Sequence, residues 1–209
     1  MTIKNKQVAQ LNGLVLAGGK SSRMGQPKDR MIWSGKEQRY HAADLLKQFC
    51  GAVYISCRHD QAFDFDKAYN ALPDTFLNIG PMGGILSALR SQRDKAWLVI
   101  ACDLPLLDHA TIEFLVSNRD PEQLATTYES PHDRLPEPLI AIWEPESYPV
   151  LLHFLGQDIT CPRKVLINSK KKTIRPKYPS ALMNVNTPTD VERASALLHS
   201  PSQRGYNQW

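Results

Sequence analysis

The chain is short of long apolar runs, of cysteine and of repetition, and each shortage removes a class of protein. Met1 to Gln10 is polar and cationic, and the apolar run after it is far too short for a signal-peptide core. It is also far below the roughly 20 residues of a spanning helix. No membrane partner is expected, and the chain is expected in the cytoplasm. Cys50, Cys57, Cys102 and Cys161 have no metal-ligand spacing, C-x-x-C and H-E-x-x-H are absent, and the six histidines are scattered. A zinc centre is therefore not expected, and the thiols should be reduced. No internal repeat, linker or low-complexity block breaks the chain. With 42% apolar and 22% charged residues over 209 positions, it reads as one well-filled domain rather than a disordered segment.

Acidic residues are missing from one stretch in particular. Between Pro162 and Pro179 stand Arg163, Lys164, Lys170, Lys171, Lys172, Arg175 and Lys177 with no carboxylate among them. The formal charge is +4, so the rest of the chain is slightly acidic. A protein that coats nucleic acid is excluded by that distribution, and one local anion-facing or solvated segment remains. The triple lysine reads as a solvated turn.

What is present begins with Leu11 to Lys28. The apolar run Leu14-Val15-Leu16-Ala17 stops at Gly18-Gly19, and Ser21, Ser22, Arg23, Gly25 and Lys28 follow. A buried strand feeding a phosphate-binding loop has this form, because glycines admit close backbone approach and successive N–H groups make an anion concavity. Arg23 and Lys28 add full positive charges. The dinucleotide motif G-x-G-x-x-G does not fit adjacent glycines, and the P-loop fails because Leu14 stands where its first glycine belongs.

Beyond the loop the pattern alternates. Gln38 to Phe49 has helical spacing and Ala52 to Ser56 strand character. A helix is expected over Met82 to Arg90, after Gly80-Pro81. The wholly apolar Ala96 to Ala101 marks a central parallel strand covered on both faces. Ile112 to Val116 suggests a helix that Asp108 can cap, and Gln123 to Thr127 a strand. Prolines crowd the second half and favour loops. Within it Leu139 to Trp143 reads as a strand, Ser147 to Leu155 and Arg163 to Asn168 as helical, and Leu182 to Val185 as a short strand. Asp190 to His199 closes the pattern as a helix started by Thr187-Pro188. The expected fold is α/β, a mostly parallel sheet with helices on both faces in three layers.

In such a sheet ligands sit beyond the carboxyl ends of the strands. Asp103, pinned by Leu104-Pro105 after the central strand, is oddly placed for a surface charge and suits Mg²⁺ beside a bound triphosphate. Ser56 lies at the end of the second strand.

The pattern L-A-G-G-x-S-x-R-M-G-x-x-K, Leu16 to Lys28, resembles the signature of the molybdenum cofactor guanylyltransferase family. Cys102-Asp103-Leu104-Pro105 resembles that family's C-D-x-P, Gly80-Pro81-Met82-Gly83-Gly84 its G-P-L-A-G, and Asn184-Val185-Asn186-Thr187-Pro188 its N-V-N-T-P. The resemblance implies a Rossmann-like (GT-A-like) nucleotidyltransferase domain over residues 11–199, between a flexible 1–10 and a tail 200–209. It implies transfer of GMP from GTP to the terminal phosphate of molybdopterin, with Mg²⁺ on Asp103 and release of pyrophosphate. Leu16, Ala17, Gly18 and Gly19 would contact the nucleotide, and Arg23 and Lys28 its phosphates. Asp74 would lie in the base and ribose pocket, and Ser56 stands where the family has a base-contacting Asn. Gly80 and Gly84 would pack beside the nucleotide, and Asn186 near the metal. The pterin site would be lined by Glu137-Pro138-Leu139 and by the Cys161-to-Lys164 turn, with Arg163 or Lys164 on the pterin phosphate.

Molybdopterin-inserting proteins or molybdoenzyme chaperones are the implied recipients of the product. Three alternatives stay open: a cytidylyltransferase on the same cofactor, a sugar-phosphate nucleotidyltransferase, and a nucleotide-binding or cofactor-chaperone module without catalysis. The cytidylyl branch tends to L-A-A-G, so the adjacent pair Gly18-Gly19 leans toward GTP, whereas Pro27 departs from the Asp that often precedes Lys in the guanylyl branch.

Overall fold

A computed structural model describes residues 8–17, 28–33 and 35–199, and the account that follows concerns those residues. In chain order β1 (Leu11–Leu16) is followed by a 3-10 turn at Lys28–Arg30, α1 (Gln38–Leu46) and β2 (Val53–Cys57). A second 3-10 segment, His59–Asp64, leads to β3 (Asn70–Pro73), α2 (Pro81–Ser91), β4 (Ala96–Ala101) and α3 (His109–Ser117). Then come β5 (Ala125–Glu129), β6 (Pro136–Trp143), α4 (Ser147–Leu155), α5 (Pro162–Ile167) and β7 (Lys172–Ile174). A 3-10 turn at Pro179–Leu182 and α6 (Pro188–His199) close the described chain.

The strands form one sheet in the order β3-β2-β1-β4-β6-β5-β7. The pairings β1–β2, β2–β3, β1–β4 and β5–β7 are parallel, whereas β6 runs antiparallel to both β4 and β5. β6 is thus the one reversed strand of seven. β4 lies at the centre with all six residues buried, as its apolar composition requires.

Alternation along the strands divides the core into two layers. Val15, Ile55, Leu98, Ile100 and Ile142 face α1 and α3, packing on Ala42, Leu46, Ile112 and Leu115. Leu14, Trp97, Val99, Ala141 and Trp143 face α2, α4 and α5, packing on Ile85, Leu89, Leu151 and Val165. Trp97 and Trp143 stand opposite each other across the β4–β6 ladder, both fully buried. Their large apolar area fixes the register of the reversed strand, because a one-residue slip would carry a buried Trp to the other face.

Helix starts follow local chemistry. Asp108 caps α3 by accepting from Thr111 N at 2.8 Å. Gly80 has φ +62°, a left-handed conformation suited to glycine, and Pro81 occupies the first turn of α2. At α6, Asp190 Oδ2 accepts from Thr187 N at 2.9 Å and Thr187 Oγ1 at 2.8 Å, and Asp190 N donates back to Thr187 Oγ1 at 3.2 Å.

Several elements differ from the sequence reading. Leu182 to Val185 is not a strand: Pro179 starts a 3-10 turn through Leu182, and beyond it Val185 N donates to the Asp103 carbonyl at 2.9 Å, outside any ladder. The triple lysine is no simple turn either, since Lys172 opens the edge strand β7, where charged side chains guard an exposed edge. β3 emerges from a segment without apolar alternation. β6 begins among the prolines, at Pro136, where a bulge between Thr127 and Glu129 interrupts the β5–β6 register.

Candidate active site

The parallel strands bring their carboxyl ends to one edge. Leu16 stands level with Ser56 on one side and Ala101 on the other. Ala17 N donates to the Ser56 carbonyl at 3.1 Å, and Cys102 N to the Leu16 carbonyl at 3.3 Å. At the end of β2, the buried Ser56 hydroxyl donates to Asp74 Oδ1 at 2.7 Å, while Asp74 N donates to the Cys57 carbonyl at 2.8 Å. A Cβ on Gly84 would come within 2.6 Å of both Leu16 Cδ2 and Ser56 Oγ, so α2 reaches the strand ends only because that position carries hydrogen. Leu16, Ala17, Ser56, Asp74 and Gly84, nominated from four places in the sequence, therefore meet. Burial pushes the Asp74 carboxyl above the usual carboxylate range, and the Ser56 hydrogen bond pulls it partly back.

Asp103 lies just past the end of β4 with its Oδ1 shut off from solvent. The Val185 hydrogen bond to its carbonyl ties it to the segment carrying Asn184 and Asn186. Asn186 N in turn donates to Asp190 Oδ2 at 3.0 Å. The N–H of Asn186 and the Thr187 hydroxyl hold the Asp190 carboxyl below the usual range. Among the described residues no group of three or more His, Cys, Asp or Glu gathers as a metal site, and no helix is long and apolar enough to cross a membrane.

Gly18, Gly19 and Arg23 lie outside the described residues, as does the Gln203-to-Trp209 tail. Lys28 opens the first 3-10 turn, and its backbone alone is described. Its neighbour Asp29 is 4% exposed and paired with Arg39, itself 3% exposed, at 3.4 Å. Arg39 also binds Glu37 at 2.7 Å and lies over the rings of Tyr40 and Phe65, at 4.7 and 4.6 Å from their centroids. Burial raises the Asp29 carboxyl, with Arg39 opposing it. This anchor behind Lys28 escaped the sequence reading, because an arginine in a charged, weakly periodic helix start looks like any solvated cation.

Beside the strand ends opens a cleft of about 530 Å³. Gly80 and Pro81 form one wall, Leu104, Leu182 and Asn184 a second, and the start of β6 with the start of α5 the rest. Glu137 and Arg163, both nominated by the resemblance, line this one cleft. Arg163, however, is already engaged: Nη1 donates to Asp133 Oδ2 at 2.9 Å and Nη2 to Glu137 Oε2 at 2.7 Å. Two carboxylates thus offset its one charge.

Residues 13–173 match the family described as the MobA-like NTP transferase domain. The chain belongs to that family. Its nucleotidyltransferase class agrees with the glycine loop and the mostly parallel sheet. Among curated relatives of this MobA-like chain, the "Molybdenum cofactor biosynthesis bifunctional protein" of Synechocystis sp. is 34% identical over 182 residues, which cover 86% of this chain and 52% of that protein. The chain thus spans about half the length of that relative. The "Probable molybdenum cofactor guanylyltransferase" of Carboxydothermus hydrogenoformans is 32% identical over 86% of this chain and 92% of its own length. Among solved structures, molybdopterin-guanine dinucleotide biosynthesis protein A from Archaeoglobus fulgidus superposes with TM-score 0.72 at 23% identity, covering 90% of this chain and 98% of that one. A CMP:2-keto-3-deoxy-manno-octonic acid synthetase complexed with CTP superposes with TM-score 0.66 at 15% identity, over 91% and 98%. At those identities the two structures establish the shared α/β fold.

Proposed function

We propose that this MobA-like chain transfers GMP from GTP to the terminal phosphate of molybdopterin, giving molybdopterin guanine dinucleotide and pyrophosphate. The observation that carries this reading is that one helix start joins the cleft to the strand ends. Gly80 and Pro81 line the cleft, and on the same helix Gly84 packs against Leu16 and Ser56 beside Asp74. Asp103 lies just past the end of β4, next to Leu104, which lines the cleft. A nucleotide held at Leu16, Ser56 and Asp74 and an acceptor held in the cleft approach the end of β4 from opposite sides.

In the transfer, an oxygen of the acceptor phosphate attacks the α-phosphorus of GTP. The bond from that phosphorus to the oxygen bridging to the β-phosphorus breaks, and pyrophosphate leaves with the electron pair. The nucleophile is already ionised, so no side chain has to remove a proton, and positioning with charge neutralisation carries the catalysis. Arg23 and Lys28 offset the charge gathering on the leaving group, while Leu16, Ala17, Gly18 and Gly19 hold the nucleotide. The Asp29–Arg39 pair anchors the chain behind Lys28.

The donor chemistry at Asp103 fits Mg²⁺, a hard cation that takes carboxylate oxygen and leaves most of its coordination to phosphate and water. Asp103 would hold the ion, with Asn186 kept nearby through the Val185 bond, and when bound it supplies Lewis-acid neutralisation of phosphate charge. For the base, an ionised Asp74 is an acceptor on both oxygens and donates from neither. Guanine presents adjacent N1–H and 2-amino donors to such a group, whereas cytosine sets an acceptor beside its single amino donor. That difference supports GTP over CTP. The reaction belongs in the cytoplasm, with molybdopterin-inserting proteins or molybdoenzyme chaperones as recipients.

The test is incubation with GTP, CTP, ATP or UTP, Mg²⁺ and molybdopterin, following pyrophosphate release and product mass. GTP alone should give product. Turnover with CTP alone would move the chain to the cytidylyl branch. Tight binding of one nucleotide without pyrophosphate release would make it a binding module.

A further inference from the structure

The cleft contains a carboxylate that the transfer step does not use. Glu137 has a side chain only 15% exposed, and its Oε2 accepts from Arg163 Nη2 at 2.7 Å. Among the described residues, no group is seen donating to its Oε1. An ionised carboxylate has about four lone-pair sites, so Glu137, which lines the cleft, keeps acceptor capacity beyond the Arg163 bond.

Glu137 is also held in place from several directions. Pro136 and Pro138 flank it and restrict the backbone, and its carbonyl accepts from Thr127 Oγ1 at 2.6 Å. Its partner Arg163 is fixed in turn by Asp133 at 2.9 Å. A carboxylate set this firmly meets a ligand without an ordering cost.

The charged residues that line the cleft, Glu137 and Arg163, sit at one end of it. With Asp133 and Glu137 against Arg163, the distal end has no surplus positive charge to grip a phosphate. The acceptor phosphate belongs at the Leu104 end, beside Asp103. The ring of the acceptor therefore belongs at the Glu137 end, and Pro81, Leu139 and Pro162 supply apolar surface suited to its faces.

We infer that Glu137 is a specificity-determining residue for the acceptor ring, accepting the paired N3–H and 2-amino donors of a 2-amino-4-oxo pyrimidine edge. Two adjacent N–H donors match a carboxylate as a guanidinium fork does. A ring with oxo groups at both positions turns one donor into an acceptor facing the negative oxygens, and is rejected. Arg163 is then a positioning residue that aims Glu137 rather than an anion grip. The inference rests on the cleft being the acceptor site.

Two probes differing only at that position test it: pterin, with the 2-amino group, and lumazine, with a 2-oxo group. Their affinities for the intact protein are measured by calorimetric titration in the presence of GTP and Mg²⁺. A site built to hydrogen-bond a donor discriminates strongly against an analogue lacking it, so pterin should bind at least about 10-fold tighter. In Glu137→Gln the carboxamide presents one acceptor and one donor, which suits lumazine, and the preference should vanish or reverse. The wild-type comparison needs no variant, so a misfolded mutant does not blunt the test. Equal affinities in the wild type, or an unchanged preference in a folded Glu137→Gln, overturns the inference. Guanylyl transfer to molybdopterin, assayed separately, keeps the outcomes apart. Transfer without pterin preference removes the role of Glu137 alone, and pterin preference without transfer removes the proposed reaction alone.

Discussion

The Ser56 hydroxyl donates to Asp74 Oδ1 across 2.7 Å, joining the end of β2 to the chain leaving β3. Burial raises the Asp74 carboxyl above its usual range, so the folded protein holds that proton more tightly than the unfolded chain does. Ionising Asp74 thus costs stability, and the cost enters as pH rises through the raised pKa. Asp74→Asn should melt above the wild type at neutral pH and converge with it near pH 4, about the ordinary carboxylate pKa. The same variant should lose the GTP-induced rise in melting temperature at neutral pH. Paired thermal scans over that pH range, with and without GTP, check both halves. A variant no more stable than wild type at pH 7 contradicts the first.

Gly84 permits the contact between α2 and the strand ends. An alanine there places Cβ 2.6 Å from Leu16 Cδ2 and Ser56 Oγ, and one of them must move. Gly84→Ala should lower unfolding stability by about 1–3 kcal/mol and weaken GTP binding together. Denaturant midpoints and GTP titration on one sample decide the matter. Unchanged GTP affinity would show that the Leu16–Ser56 wall does not touch the nucleotide.

Asp103→Asn keeps shape and leaves the carbonyl bond to Val185 N in place, so the fold should persist. Loss of the carboxylate should cut Mg²⁺-dependent pyrophosphate release by about 100-fold or more. Circular dichroism checks the fold and a Mg²⁺ titration of the rate checks the role. A wild-type rate with wild-type Mg²⁺ dependence removes Asp103 as the metal ligand.

Remote from the cleft, Glu144 is 1% exposed and receives Arg119 Nε at 2.7 Å and Nη2 at 2.8 Å. Arg119→Ala strands a buried carboxylate, and about 3–5 kcal/mol of stability should be lost. The folded fraction should keep the wild-type KM for GTP, read at low temperature. A loss below 1 kcal/mol would mean that water replaces the guanidinium.

What the sequence disclosed follows a physical rule. β1 and β4 are legible because burial on both faces forces unbroken apolar runs, and Asp108 and Thr187 because caps depend on neighbours in sequence. β3 and β7 were hidden because Asn70 and Lys172 open short outer strands with little apolar demand. At the site, looking just after each strand finds Ser56 and Asp103. It underrates Glu137, which stands at the start of the reversed strand β6 and so reaches the ligand edge from the other direction. The pairing of Arg163 with Asp133 spans 30 residues, and no local pattern announces it.

The reversal of β6 also separates two inheritances. The proposed nucleotide site draws on β1, β2 and α2, whereas the far wall of the cleft comes from the start of β6 and from the head of α5. Residues 130–135, the turn that leads into β6 and carries Asp133, the partner of Arg163, enter no strand, so that turn can change length and composition without disturbing Leu16, Ser56 or Asp74. On the proposed reaction, the fold is in this sense a fixed donor module with an exchangeable acceptor cassette. Grafting residues 130–138 from another nucleotidyltransferase of this fold should carry acceptor preference across while leaving base preference behind.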